Sequence, residues 1–176
     1  MRTGVIQITR LDHMVLNSVE EAISSMGVEV EVILQPIGSP FNFLDWDRVQ
    51  FKGDSLFRWF RATASETLDG AYDSIMGIGE IDAFDDGKEY ILNVVSDNLS
   101  ISFIQRLWTE ETKLYLERVR KLVINSWGRG RGIIHDSTDN CIFHEVQTVE
   151  ELDRIVAAPC SACRVKLQMS TTKVRV

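Results

Sequence analysis

Cysteine is scarce in this chain: three in 176 residues. Three thiols cannot all pair, and a secreted disulfide scaffold carries more, so disulfides do not organise this fold. An excess of cations is also missing. Nineteen Lys and Arg stand against 26 Asp and Glu, for a formal net charge of −7. Duplex nucleic acid, which needs a basic footprint over its phosphates, is therefore not an expected partner. No apolar run reaches the roughly 18 residues of a membrane-spanning helix, so no membrane is expected either. The stretch Met1 to Ile8 lacks the layout of a secretory signal and reads as a first strand. No internal repeat and no low-complexity tract interrupts the sequence. These absences leave one cytoplasmic domain, expected as a monomer, with its thiols reduced or bound to metal.

What is present is enough apolar sequence for a core, 44% of the chain, in a pattern that mixes strands and helices. Val5 to Ile8 reads as a short apolar strand. Asn17 to Met26 reads as a helix, capped by Asn17 or Ser18 and stopped by Gly27. Val28 to Leu34 alternates as a half-buried strand, and Pro36, Gly38, Ser39 and Pro40 mark a loop. Asp54 to Ala64 follows as a second helix and Tyr72 to Ile78 as a strand. Asp85-Asp86-Gly87-Lys88 has the character of a hairpin turn. Tyr90 to Val95 and Leu99 to Ile104 are two further strands. The aromatics Trp46, Phe51, Phe57, Trp59 and Phe60 read mostly as core, with one or two lining a cleft.

The longest helix opens at Thr109. It puts Leu116, Val119, Leu122, Val123 and Trp127 on one side and most of Lys113, Glu117, Arg120 and Lys121 on the other. Glycines 128, 130 and 132 should end it. Thr148-Val149-Glu150-Glu151 fits a capping box that starts a short helix, and Pro159 stops it before Cys160. The order β-α-β-α-β-β-β-α fits one mixed sheet with packed helices, an α+β fold, and not a regular βαβ repeat.

The end of the long helix carries the chemistry. His135 stands three residues after Gly132, which is the frame of a zinc-protease site, and Cys141 and the pair Cys160 and Cys163 follow. On spacing alone the Cys-x-x-Cys pair is compatible with zinc, with a redox dithiol or with ordinary thiols. The Gly/Arg run at 128–132 reads either as a helix stop or as an anion site built from Arg129 and Arg131.

These residues resemble the archaemetzincin family of metzincin zinc proteases. In metzincins two histidines lie four apart on one helix face, a glutamate between them is the general base, and a third histidine follows a glycine. Archaemetzincins add a cysteine directly after the third histidine, a second cysteine five residues on, a methionine two beyond that, and a final Cys-x-x-Cys. Those four thiolates hold a second, structural zinc. This chain lies in that register without gaps from Asn125 to Phe143. Asn125 stands at the first histidine, Ser126 at the glutamate and Arg129 at the second histidine. Gly132 matches the glycine and His135 the third histidine. Asp136 replaces the first cysteine, Cys141 matches the second, and Phe143 replaces the methionine. Cys160 and Cys163 match the terminal pair. Upstream, Asp47-Arg48-Val49-Gln50-Phe51 resembles the family's Arg-x-Gln-Tyr segment, and Ser100 to Leu107 its strand before the active-site helix.

The resemblance implies a zincin-like single domain over 1–176: a twisted mixed sheet with helices over 1–132, and a small C-terminal zinc-binding subdomain over 133–176. It also implies what the substitutions do. Arg129 is a permanent cation without a lone pair and would repel Zn²⁺. Asn125 offers only a weak neutral oxygen. Ser126 cannot act as the carboxylate base, whose help is typically about 10²–10⁴-fold. No catalytic residue, no catalytic zinc and no proteolysis by the family mechanism is therefore expected: the chain reads as a pseudoenzyme. One structural Zn²⁺ is expected on Cys141, Cys160, Cys163 and Asp136, with His135 or His144 as alternatives for the fourth place. A site of this kind contributes on the order of 10 kcal/mol to folding. An extended peptide in the residual cleft is the expected partner, held by strand addition. Two alternatives stand beside this reading. One is an active peptidase using His135 and unidentified ligands. The other is a non-enzymatic module for an anionic peptide or metabolite at Arg129 and Arg131.

Overall fold

The computed structural model describes residues 1–38, 40–68, 70–135 and 140–172, with backbone alone at 66–68 and 170–172. Strand β1 (Arg2–Gln7) leads into helix α1 (His13–Ser24) and strand β2 (Glu29–Ile33). The helix starts a turn earlier than the Asn17 cap implies. Asp12 is the cap, its carboxylate accepting from the Met14 N–H at 2.8 Å, and Val15 and Leu16 extend the buried stripe of Val19, Ala22 and Ile23 backwards. Gly27, at φ +78°, ends it in the left-handed conformation that glycine adopts without strain.

Two short strands, β3 (Leu44–Asp45) and β4 (Gln50–Lys52), precede helix α2 (Gly53–Leu68). Then come β5 (Ser74–Gly79), β6 (Ala83–Phe84), β7 (Asn93–Ser96) and β8 (Leu99–Phe103). The main sheet runs in the order β2-β1-β5-β8-β7. The first three pairings are parallel and β7 lies antiparallel to β8 at one edge. The tight hairpin turn is Asp97-Asn98, both at positive φ, which suits the right-handed twist of the strands it joins. Strands β3, β4 and β6 form a small second sheet.

The main sheet has a core on each face. Helices α1 and α3 (Thr112–Gly130) cover one with Val5, Met76, Ile78, Val119, Leu122, Val123 and Trp127. Helix α2 covers the other with Ile6, Ile8, Leu56, Phe60, Ile101 and Phe103. The alternation in Leu-Ser-Ile-Ser-Phe is the reason. Ile101 and Phe103 meet α2, while the small Ser100 and Ser102 let the backbone of α3 come close. A Cβ on Gly130 would lie 2.9 Å from the Leu99 carbonyl oxygen. Trp127 is fixed across this face by its indole N–H, which donates to Thr3 Oγ1 at 3.1 Å.

Two expectations about side chains are corrected. Trp46 is 73% exposed, at the tip of the β3–β4 hairpin, and is not core. Lys121 is buried rather than on the solvent side of α3. Its stem lies in the protein, and its ammonium reaches the Asp153 carbonyl at 3.1 Å and Glu117 at 3.3 Å. Helices α4 (Val149–Arg154) and α5 (Ser161–Thr172) complete the chain. Thr148 caps α4 by accepting from the Glu151 N–H, as the capping box predicts.

Candidate metal centre and the cleft beside it

The C-terminal part converges on sulfur. Cys141 and Cys163 are buried and Cys160 half-buried. Cys160 sits at the start of α5 and Cys163 in its first turn, where free N–H groups and the helix dipole favour a thiolate. The Cys160 N–H already points at the Cys141 sulfur, 3.3 Å away. The fourth member is His135. Its Nδ1 lies 3.7 Å from the Cys160 sulfur and 3.5 Å from the Cys163 sulfur. All four donor atoms lie within 4.8 Å of one another, one group of this kind among the described residues. A tetrahedral zinc, with bonds of about 2.3 Å to sulfur and about 2.0 Å to nitrogen, sets sulfur–nitrogen separations near 3.5 Å. The donor set and its spacing fit Zn²⁺ as a Cys₃His site. Asp136, the expected fourth ligand, lies outside the described residues, and His144 is outside the cluster although its ring stacks edgewise on His135.

Without a cation the sulfurs oppose one another. The Cys163 N–H, the largest influence, draws the Cys160 thiol down to about 7. Burial and then the neighbouring sulfurs push Cys163 up to about 12. A bound dication reverses the second effect, since a coordinating thiol is deprotonated outright. Lys166 Nζ donates to the Ile134 carbonyl at 2.6 Å and so ties the segment carrying His135 to α5.

Ten residues earlier, the positions in register with a catalytic centre are closed by hydrogen bonds. Asn125 and Ser126 are fully buried. The Asn125 side-chain amide donates to the Ile142 and His144 carbonyls, both at 2.6 Å, and its oxygen accepts from Asn93 at 3.3 Å. Ser126 Oγ donates to the Leu122 carbonyl at 2.8 Å and accepts from Asn93 and Ser102, each at 3.0 Å. Phe143 stands on Gly128 so closely that a Cβ there would overlap its ring. Arg129 Nη2 faces Glu145 Oε1 at 3.5 Å. An amide, a hydroxyl and a guanidinium do not make a zinc donor set.

A cleft lies between this helix end and β7, the strand at the edge of the main sheet among the described residues. One cavity of about 190 Å³ runs along Tyr90 to Val95 and reaches Arg129 and Glu145. A second, about 280 Å³, lies between Val95, Ile133, Ile134, His135 and Phe143, and the same Arg129 and Glu145 border it. The rim is held from the small sheet. Gln50 and Arg48 both donate to the Glu89 carbonyl, at 3.1 and 2.8 Å, and Arg48 Nε donates to Gln50 at 2.9 Å.

The structure thus gathers Cys141, Cys160, Cys163 and His135, and places Asn125, Ser126 and Arg129 side by side. It separates Arg129 from Arg131. Residues two apart on a helix face away from each other, and Arg131 covers the Trp127 ring at 5.4 Å instead of joining Arg129. Asn93, Ser102 and Glu145 were not singled out in the sequence. For Asn93 and Ser102 a signal existed: they are cross-strand partners on the face of the hairpin toward α3.

The sequence model of peptidase family M54 matches residues 2–169. An archaemetzincin of Sulfolobus acidocaldarius is 29% identical over 172 residues, covering 94% of this chain and 96% of its own length. One from Saccharolobus solfataricus is 25% identical over 175 residues, covering 96% and 93%. The fold of the archaemetzincin from Methanopyrus kandleri superposes with a TM-score of 0.83 at 22% identity, over 98% of this chain and 96% of that one. A zinc-dependent peptidase from Methanocorpusculum labreanum superposes at 0.80 with 19% identity, over 94% and 99%. The chain belongs to peptidase family M54, the family of the archaemetzincins.

Proposed function

We propose that this chain is a non-proteolytic member of its family: a zinc-clasped protein that binds extended peptides in the cleft and does not cut them. The observation that carries this reading is the engagement of every group in register with the catalytic centre. Asn125 and Ser126 are spent in buried hydrogen bonds, Arg129 brings a positive charge, and His135 reaches the cysteine cluster. Zinc at that cluster supplies structure, tying the segment after α3 to the start of α5. β7 is an edge strand of the main sheet, and strand addition along such an edge needs no metal.

The family's name favours the competing reading, an active peptidase. The test is an unfolded protein substrate incubated with the zinc-loaded chain, followed by mass spectrometry. The proposal expects no cleavage above background and one zinc per chain, lost in Cys141→Ser. Chelator-sensitive cleavage abolished by His135→Ala would establish the peptidase instead.

A further inference from the structure

The guanidinium of Arg129 is placed to do more than exclude a metal. It stands one helical turn from Asn125 on the same face of α3, at the point where the two cavities of the cleft meet. Its side chain is 21% exposed and its partner Glu145 60% exposed. Their single contact at 3.5 Å is the kind of pair that contributes little and exchanges readily. The 280 Å³ cavity next to it has an apolar wall of Val95, Ile133, Ile134 and Phe143. The 190 Å³ cavity continues along the chain leading into β7.

We infer that the cleft selects peptides by their C-terminus: a free terminal carboxylate is held by Arg129, with an apolar last side chain in the Ile133–Phe143 hollow. This rests on the peptide-binding reading above and narrows it. The carboxylate takes the place of Glu145 on the guanidinium, whose fork of N–H donors matches two oxygens where Glu145 now offers one. The preceding residues lie on the edge of β7. The opposed charges of Asp85 and Lys88, also lining the 190 Å³ cavity, leave that stretch without net preference.

The experiment titrates the zinc-loaded chain with fluorescein-labelled Ala-Val-Ala-Val-Leu, as the C-terminal acid and as the amide, by fluorescence anisotropy. The acid is expected to bind at least about tenfold more tightly than the amide. Arg129→Gln should bring the acid to the level of the amide, and Arg129→Lys should keep part of the difference. Glu145→Gln should tighten the acid and leave the amide unchanged. Equal binding of both peptides, unaltered by Arg129→Gln, overturns the selection of carboxylates and leaves the peptide cleft standing. Failure of both peptides to bind overturns the selection together with the cleft.

Discussion

The Nδ1 of His135 lies 3.5 Å from the sulfur of Cys163. In register this histidine belongs to a catalytic centre, and its Nδ1 lies beside the cysteine sulfurs, as the proposed Cys₃His site requires. The expected consequence is that His135→Ala weakens zinc binding without abolishing it, leaving three thiolates and a water. The loss should exceed the roughly 10–100-fold that removal of an outer-shell partner costs. Competition with a chromophoric chelator measures it, and unchanged affinity would place the histidine outside the site.

Asn125 ties the 142–144 segment to α3. Its amide donates to two carbonyls, that of Ile142 buried and that of His144 partly buried. Asn125→Ala should destabilise the zinc-loaded chain by about 2–4 kcal/mol in urea unfolding. A loss under about 0.5 kcal/mol would mean those carbonyls find other donors.

Gly128 tests the packing of Phe143. Alanine is the better helix former by about 1 kcal/mol, so an open helix position would gain from Gly128→Ala. A Cβ here overlaps the buried Phe143 ring, and overpacking costs about 1–3 kcal/mol. The net expectation is a fall in stability, relieved by pairing Gly128→Ala with Phe143→Leu. Thermal unfolding of the single and double variants decides it.

The ion pair of Arg118 and Asp153 ties α3 to α4 through two contacts, at 2.8 and 2.6 Å. The hydrogen bond from Arg118 holds the Asp153 carboxyl below its usual value. A depressed folded-state value means stability that is fully present above the unfolded value, about 3.9, and lost as the pH falls through the folded one. Asp153→Asn should therefore be less stable than the parent at pH 7 and indistinguishable from it once both carboxyl states are protonated. A constant difference across an acid titration of urea midpoints would contradict the assignment.

The sheet and the long helix are legible in the sequence because their periods are clean: alternation in Leu99–Phe103, helical spacing from Val119 to Trp127. The cysteine cluster is legible as spacing, and the family register supplies its frame. The start of α1 is misread because Asp12 caps it a turn before the more obvious Asn17. Trp46 is misread because hydrophobicity says nothing of a hairpin tip. The role of His135 is open in sequence because the choice between two adjacent metal frames depends on which way one ring turns. Glu145 is invisible until folding brings it to Arg129, sixteen residues away.

Zinc K-edge absorption on the purified chain tests the central claim most directly. The account predicts one zinc per chain, with three sulfurs at about 2.3 Å and one nitrogen at about 2.0 Å. Outer-shell imidazole scattering should accompany them and disappear in His135→Ala. A second zinc with nitrogen and oxygen ligands, or imidazole scattering unaltered by that substitution, would contradict it.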